Sequence, residues 1–146
     1  MQRKEFIKTC GLACIGTTAI GTILQSCSST NYFAQSTYSN NQITINKKEF
    51  IVTDKEKSRQ RAYVIIKNNN LYFPICLYKI SEENYSALLM ECTHKSCELQ
   101  PQGNFLVCPC HGSEFTNKGI VQNPPAEENL KSFNITTDND NIYIQL

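Results

Sequence analysis

The chain has 146 residues, 40% of them hydrophobic and 18% charged, with a formal net charge of +1 at pH 7. That suffices for one modest domain with a single core plus short extensions, and so neutral a balance argues against a nucleic-acid or strongly basic function. Eight cysteines against two histidines are too many thiols for an ordinary cytosolic protein, so each needs a role.

Residues 1–26 read as an export signal. Arg3, Lys4 and Lys8 form a basic start, Cys10 to Leu24 is a mostly apolar run, and Leu24-Gln25-Ser26-Cys27 fits a bacterial lipobox. A run of about 15 apolar residues is short for a membrane-spanning helix, which needs roughly 20. The expected outcome is cleavage before Cys27 and lipidation of its thiol; the competing one is an uncleaved membrane anchor. Arg3-Lys4-Glu5-Phe6-Ile7-Lys8 also resembles a relaxed twin-arginine signal, with Lys4 in place of the second arginine. Residues 27–41, rich in Ser, Thr and Asn, read as a lipidated polar tether reaching roughly 20 Å on average, unless part of the segment packs on the domain as a first strand.

From residue 42 to residue 146 the pattern is β. Ile43 and Ile45 alternate with polar neighbours, and Phe50 to Val52 follows. The charged run Asp54 to Arg61 reads as a solvated loop or short turn. Arg61 to Lys67 and Leu71 to Ile80 flank Asn68-Asn69-Asn70 as a hairpin. Tyr85 to Glu91 and Phe105 to Val107, the latter after a turn at Gly103, each lead into a loop rich in Cys and His. Leu130 to Thr136 and Asn141 to Leu146 bracket Asp138-Asn139-Asp140 as a last hairpin. No segment after the signal sustains a 3.6-residue apolar period, so helices should be minor.

The two loops carry the chemistry. Cys92-Thr93-His94-Lys95-Ser96-Cys97 and Cys108-Pro109-Cys110-His111-Gly112-Ser113-Glu114-Phe115 hold both histidines and four of the cysteines. Six soft ligands are two too many for one tetrahedral ion. Each loop offers a Cys/His pair, Cys92 with His94 and Cys108 with His111, and keeps one cysteine over, Cys97 and Cys110, which are available to pair. Two thiolates and two imidazoles suit a [2Fe-2S] cluster with one iron held by sulfur and the other by nitrogen.

These loops resemble the two cluster-binding boxes of Rieske iron-sulfur proteins, Cys-Thr-His-x-x-Cys and Cys-Pro-x-His-Gly-Ser-x-(Tyr/Phe). The resemblance implies that Cys92 and Cys108 hold the inner iron, that His94 and His111 hold the outer iron near solvent, and that Cys97 bonds to Cys110. It places Ser113 where the family has a hydroxyl donating to a cluster sulfur, and Pro124-Pro125 in a loop covering one side of the cluster. Two other arrangements use the same side chains. A structural zinc site is one, although a Cys-x-His arm is tighter than usual zinc spacings and strands the extra cysteine pair. Two plain disulfides with idle histidines is the other. Cys10 and Cys14 leave with the signal, so only Cys76 remains, in an apolar run where a small buried hydrophobe is expected.

Replacing two thiolates by neutral imidazoles makes such a cluster easier to reduce, with potentials of roughly −150 to +300 mV against about −400 mV for four-cysteine plant-type clusters. Two positions depart from the respiratory version of the family. Phe115 stands where those proteins carry a hydrogen-bonding tyrosine, and Lys95-Ser96 stands where quinol-oxidising relatives usually show Leu-Gly. Phe115 should lower the potential, and Lys95 favours an acidic or polar partner over an apolar quinol pocket.

The expected fold is all-β, a small antiparallel sandwich or incomplete barrel with a cluster-binding subdomain at one end. The expected function is one-electron transfer by a membrane-anchored, extracytoplasmic Rieske-like protein working with redox protein partners. The chain carries no motif for completing a substrate reaction alone. Alternatives are the iron-sulfur subunit of a quinol-oxidising cytochrome bc-type complex, a ferredoxin-like donor to an oxygenase, and a noncatalytic binding lipoprotein stapled by metal.

Overall fold

A computed structural model describes residues 31–54 and 57–146, with the side chains of residues 54–57 excepted. Residues 1–26, read above as an export signal, and Cys27 lie outside the described residues. Asn31–Leu146 forms one compact unit of thirteen short strands: β1 Ser36–Ser39, β2 Gln42–Asn46, β3 Ile51–Asp54, β4 Lys57–Gln60, β5 Tyr63–Ile66, β6 Ile75–Lys79, β7 Tyr85–Leu89, β8 Gln100–Gln102, β9 Phe105–Val107, β10 Glu114–Thr116, β11 Val121–Asn123, β12 Ser132–Thr137 and β13 Asn141–Gln145. A single 3-10 turn, Lys47–Phe50, is capped by the Asn46 side chain, which accepts the Lys48 N–H. No helix among the described residues is long and apolar enough to cross a membrane.

The main sheet has seven strands in the order β1-β2-β13-β12-β7-β6-β5. It curls because the chain just before β1 reaches the opposite edge. The Ala34 N–H donates to the Ile65 carbonyl (2.8 Å) and the Ile65 N–H to the Tyr32 carbonyl (2.9 Å), a parallel bridge to β5. One segment thus touches both ends of the sheet, giving the incomplete barrel that the alternating pattern implies.

Strands β5, β6 and β7 are buried on both faces, and period-2 alternation sorts their side chains into two cores. Val64, Ile66, Ile75, Leu77 and Ala87 meet Ile43, Ile45, Phe50, Phe133, Ile142 and Ile144 inside the curl. Ile65, Cys76, Tyr78 and Leu88 face the other way, onto Leu99, Leu106, Phe115, Ala126 and Leu130 of a second layer. That layer is a four-stranded sheet, β11-β10-β9-β8, too small to fold alone, so the larger sheet must supply the apolar surface it rests on. Each Ile or Leu buried this way contributes about 1.5–3 kcal/mol.

Two expectations change. The tether over 27–41 does not run free to residue 41. Tyr32 and Ala34 pair with β5, and β1 pairs with β2 through Asn40 and Asn41, both in the left-handed region (φ 51° and 60°). A two-residue turn with two positive φ angles matches strand twist, and asparagine tolerates it. The charged run Asp54 to Arg61 is not simply a loop either. Its residues Lys57–Gln60 form β4, paired antiparallel to β3 in a separate two-stranded ribbon. Arg61 then stacks 3.6 Å over the Tyr32 ring and donates to the carbonyls of Glu49 and Ile51.

Candidate metal centre

Both Cys/His loops leave the ends of paired strands and close by the same backbone device. In the first, the Cys92 N–H donates to the Cys97 carbonyl (2.9 Å) and the Ser96 N–H to the Cys92 carbonyl (2.8 Å). In the second, the Cys108 N–H donates to the Ser113 carbonyl (2.8 Å) and the Gly112 N–H to the Cys108 carbonyl (3.0 Å). The residue four places after each leading cysteine has positive φ: Ser96 at 49° and Gly112 at 79°. Glycine adopts this conformation without strain, whereas serine does so at a cost. The two loops thus share one backbone pattern although their Cys-to-His spacings differ.

The loops bring the predicted residues together. Cys92 and Cys108 are free thiols, each 1% exposed. Burial pushes the Cys92 thiol up, opposed by the N–H groups of His94 and Lys95 directed at its sulfur, while the neighbouring Cys108 adds to the rise. A bound cation reverses that balance, because a coordinating thiol deprotonates outright. The imidazoles of His94 and His111 lie edge to face with centroids 4.9 Å apart. His94 Nδ1 is buried without a hydrogen-bond partner, the state of a ligand atom reserved for a metal rather than of a satisfied core histidine. Cys97 and Cys110 form a disulfide that ties the two loops. The sulfurs of Cys97, Cys108 and Cys110 also crowd within 4.8 Å, but two of the three are spent in that disulfide, so the trio is not itself a ligand set.

A third segment, following β11, holds both loops from one side. The Ser113 hydroxyl oxygen is fully buried and accepts the Ala126 N–H at 3.0 Å. Its own hydrogen meets no acceptor among the described residues. The Thr93 hydroxyl donates to the Glu128 carbonyl (2.7 Å), the Asn123 amide to the Gly112 carbonyl (3.5 Å), and the Val121 N–H to the Asn129 side-chain oxygen (2.9 Å). The Pro124-Pro125 peptide in this segment is cis. Sequence reasoning placed the prolines here but missed Ala126, Glu128 and Asn129, whose roles are mostly backbone contacts with no compositional mark. Phe115 is fully buried and presents no hydrogen-bond donor. Cys76 is buried in the core beneath the loops, and burial pushes its thiol up, as a packing residue requires.

Paired thiols and paired imidazoles on disulfide-locked loops, seated at one end of a curled antiparallel sheet, define a small β domain for a mixed Cys/His metal cluster. Residues 35–134 match the family model described as the Rieske [2Fe-2S] domain, and the chain belongs to that family. Its cofactor is accordingly a [2Fe-2S] cluster, and the donor set here, with its orphaned imidazole nitrogen, fits one.

Relatives include the cytochrome b6-f complex iron-sulfur subunits of Prochlorococcus marinus (strain MIT 9303), 40% identical over 55 residues, and of Synechococcus sp. (strain CC9605), 36% identical over 55 residues. Each match covers 36% of this chain and 31% of the relative, so the chain spans about a third of the curated relatives it matches. Among solved structures, the cyanobacterial plasma membrane Rieske protein PetC3 from Synechocystis PCC 6803 is similar at 25% identity. Its TM-score is 0.52, over 58% of this chain and 87% of that one.

Proposed function

We propose that this Rieske electron-transfer protein works outside the cytoplasm, held at a membrane by lipid on Cys27. Residues 1–26 are the signal removed on export, and the fold beginning near Asn31 leaves only a few residues between lipid and domain. Cys92 and Cys108 hold the inner iron; His94, through its orphaned Nδ1, and His111 hold the outer iron. Bound there, the cluster would supply one-electron chemistry in the range of roughly −150 to +300 mV. The chain's own residues set that potential and keep the centre rigid. The buried Ser113 hydroxyl aims its hydrogen at the cluster, the Cys97–Cys110 disulfide fixes loop against loop, and Thr93 anchors the first loop to the third segment.

The observation that carries this reading is the convergence of two buried thiols and two imidazoles, one with an unpartnered ring nitrogen. Similarity to cytochrome b6-f iron-sulfur subunits supports a second reading, membership of a quinol-oxidising complex. Phe115 and the exposed Lys95 weigh against it. Two measurements test the proposal: iron and acid-labile sulfide with a redox titration of the purified protein, and membrane fractionation of wild type and Cys27→Ser. Equimolar iron and sulfide with a one-electron wave, and release of the variant into the soluble fraction, are expected. Stoichiometric zinc would overturn the cluster assignment; a variant still bound to membranes would replace the lipid by an uncleaved anchor.

A further inference from the structure

The loop between β5 and β6 builds a feature that the cluster does not need. Tyr72 is 95% exposed, nearly as open as a side chain can be, and it stacks edge-on against Phe73 (centroids 5.0 Å, 75°). The loop is not loose chain. The Asn68 side chain and carbonyl accept the N–H groups of Asn70 and Leu71 (2.8 and 3.0 Å), and the Pro74 carbonyl accepts the Met90 N–H (2.8 Å) at the foot of the first cluster loop. An aromatic pair with one ring open to water and the other half-buried offers a partner a large contact area at the entropy cost of only two χ angles per ring.

Tyr72 lines two open grooves. One runs with Leu71, Phe73 and Leu89 to Glu91 and Ser96 on the first cluster loop; the other ends at Glu98. Glu91 and Glu98 face each other across the base of that loop as bridge partners. The flanking bonds, Cys92 N–H to Cys97 carbonyl and Leu99 N–H to Met90 carbonyl, make theirs the narrow, non-hydrogen-bonded kind of pair, in which side chains stand closest. Like charges directly opposite destabilise a ladder. Among the described residues no lysine or arginine forms an ion pair with either glutamate; the one ion pair found is Lys79 with Glu82. The nearby Lys67 instead lies 4.5 Å over the Phe33 ring. From Glu91 to Lys131 the chain carries five glutamates and three lysines, so the cluster end is acidic in a chain that is otherwise slightly basic. Lys95 by itself favours an acidic or polar partner, but Glu91 and Glu98 flank its loop on both sides.

We propose that Tyr72, Phe73, Glu91 and Glu98 form the docking surface for a basic redox protein, one presenting lysine or arginine side chains around its own exposed electron-transfer centre. Cationic side chains of the partner pair with the two glutamates and lie on the aromatic faces, and the partner then sits against Ser96, within the first cluster loop. The surface rests on the electron-carrier reading given above. In the complex one electron would leave the reduced cluster and reduce the partner's oxidised metal, with no bond made or broken between the two proteins.

The test uses the cluster-loaded protein with two probes, a lysine-rich c-type cytochrome and an acidic plastocyanin. Binding of ferrous cytochrome, which takes no electron, is followed by calorimetry, and reduction of ferric cytochrome by stopped flow. Glu91→Gln/Glu98→Gln should weaken binding and slow reduction about tenfold at low ionic strength and flatten the salt dependence. Tyr72→Ser/Phe73→Ser should weaken both about tenfold at all salt concentrations. Both variants should keep the wild-type spectrum and midpoint potential. Variants that bind and react like wild type, or a wild-type protein that prefers the acidic plastocyanin, would overturn the proposal. Failure of the electron-carrier reading would show separately, as a centre that dithionite cannot reduce while ferrous cytochrome still binds.

Discussion

Replacing Ser113 by alanine separates the contact the structure shows for its hydroxyl from the role proposed for it at the cluster. The oxygen accepts the buried Ala126 N–H at 3.0 Å, and its removal leaves that N–H without an acceptor, a loss of about 1–3 kcal/mol. For a domain of this size each kcal/mol lowers the thermal midpoint by about 3–6 °C, so a fall of several degrees is expected. The hydrogen, with no acceptor among the described residues, is the part proposed to act on the cluster. A hydrogen bond to a group that gains negative charge on reduction favours the reduced state by about 1–2 kcal/mol, and for one electron each kcal/mol corresponds to about 40 mV. Ser113→Ala should therefore lower the midpoint potential by about 40–80 mV. Thermal unfolding followed by circular dichroism reads the first role, and redox titration followed by electron paramagnetic resonance reads the second. An unchanged potential would refute the hydrogen's commitment to the cluster; an unchanged thermal midpoint would refute the Ala126 contact.

Other substitutions probe other layers. Gly119 has φ +79°, and a Cβ there would lie 2.8 Å from a Leu88 methyl and 3.3 Å from Leu130 Cβ, so Gly119→Ala should cost about 2–4 kcal/mol by urea unfolding; a loss below about 0.5 kcal/mol would contradict the packing of the second layer. Phe115→Tyr should raise the midpoint potential by tens of millivolts, about 40 per kcal/mol of new hydrogen bond, and an unchanged or lower value would remove Phe115 from the determinants of potential. The Tyr143 hydroxyl and the N–H groups of Asn141 and Asp140 hold Asp138 down at about 2 from an ordinary 3.8. Because the folded value is the lower one, the stabilisation is present above about 4 and is lost as pH falls through about 2. The thermal midpoints of wild type and Asp138→Asn should therefore converge on acidification across that window, and a gap independent of pH would contradict the assignment.

What the sequence showed and hid follows from where the constraints act. Cluster ligation demands particular atoms at particular spacings, so Cys92, His94, Cys108 and His111 stood out; in the structure the Cys92 and Cys108 thiols are neighbours and the His94 and His111 rings lie edge to face. Strands β5 to β7 were legible because burial on both faces forces apolar runs such as Ile75 to Tyr78. Strands β1 and β4, Ser36–Ser39 and Lys57–Gln60, were not, because edge strands bury little and their polar side chains carry no period. Asn40-Asn41 was the available turn signal for β1. The three-residue strands β8, β10 and β11 are shorter than any pattern can register. The prolines of the third segment were legible, but its contacts were not, because they run largely through the backbone N–H of Ala126 and the carbonyl of Glu128, which every residue type possesses. Ser96 is a like case: its positive φ of 49° is a backbone demand that serine, unlike glycine, does not advertise in the sequence.

The most direct test of mixed ligation is electron paramagnetic resonance of the dithionite-reduced protein, compared with His94→Ser and His111→Ser. Expected is a signal of low average g in the wild type, as nitrogen ligation of one iron produces, and its disappearance in both variants while the Cys97–Cys110 disulfide persists. An unaltered signal in either variant would show that the histidines are not ligands, and the cluster assignment would fail with them.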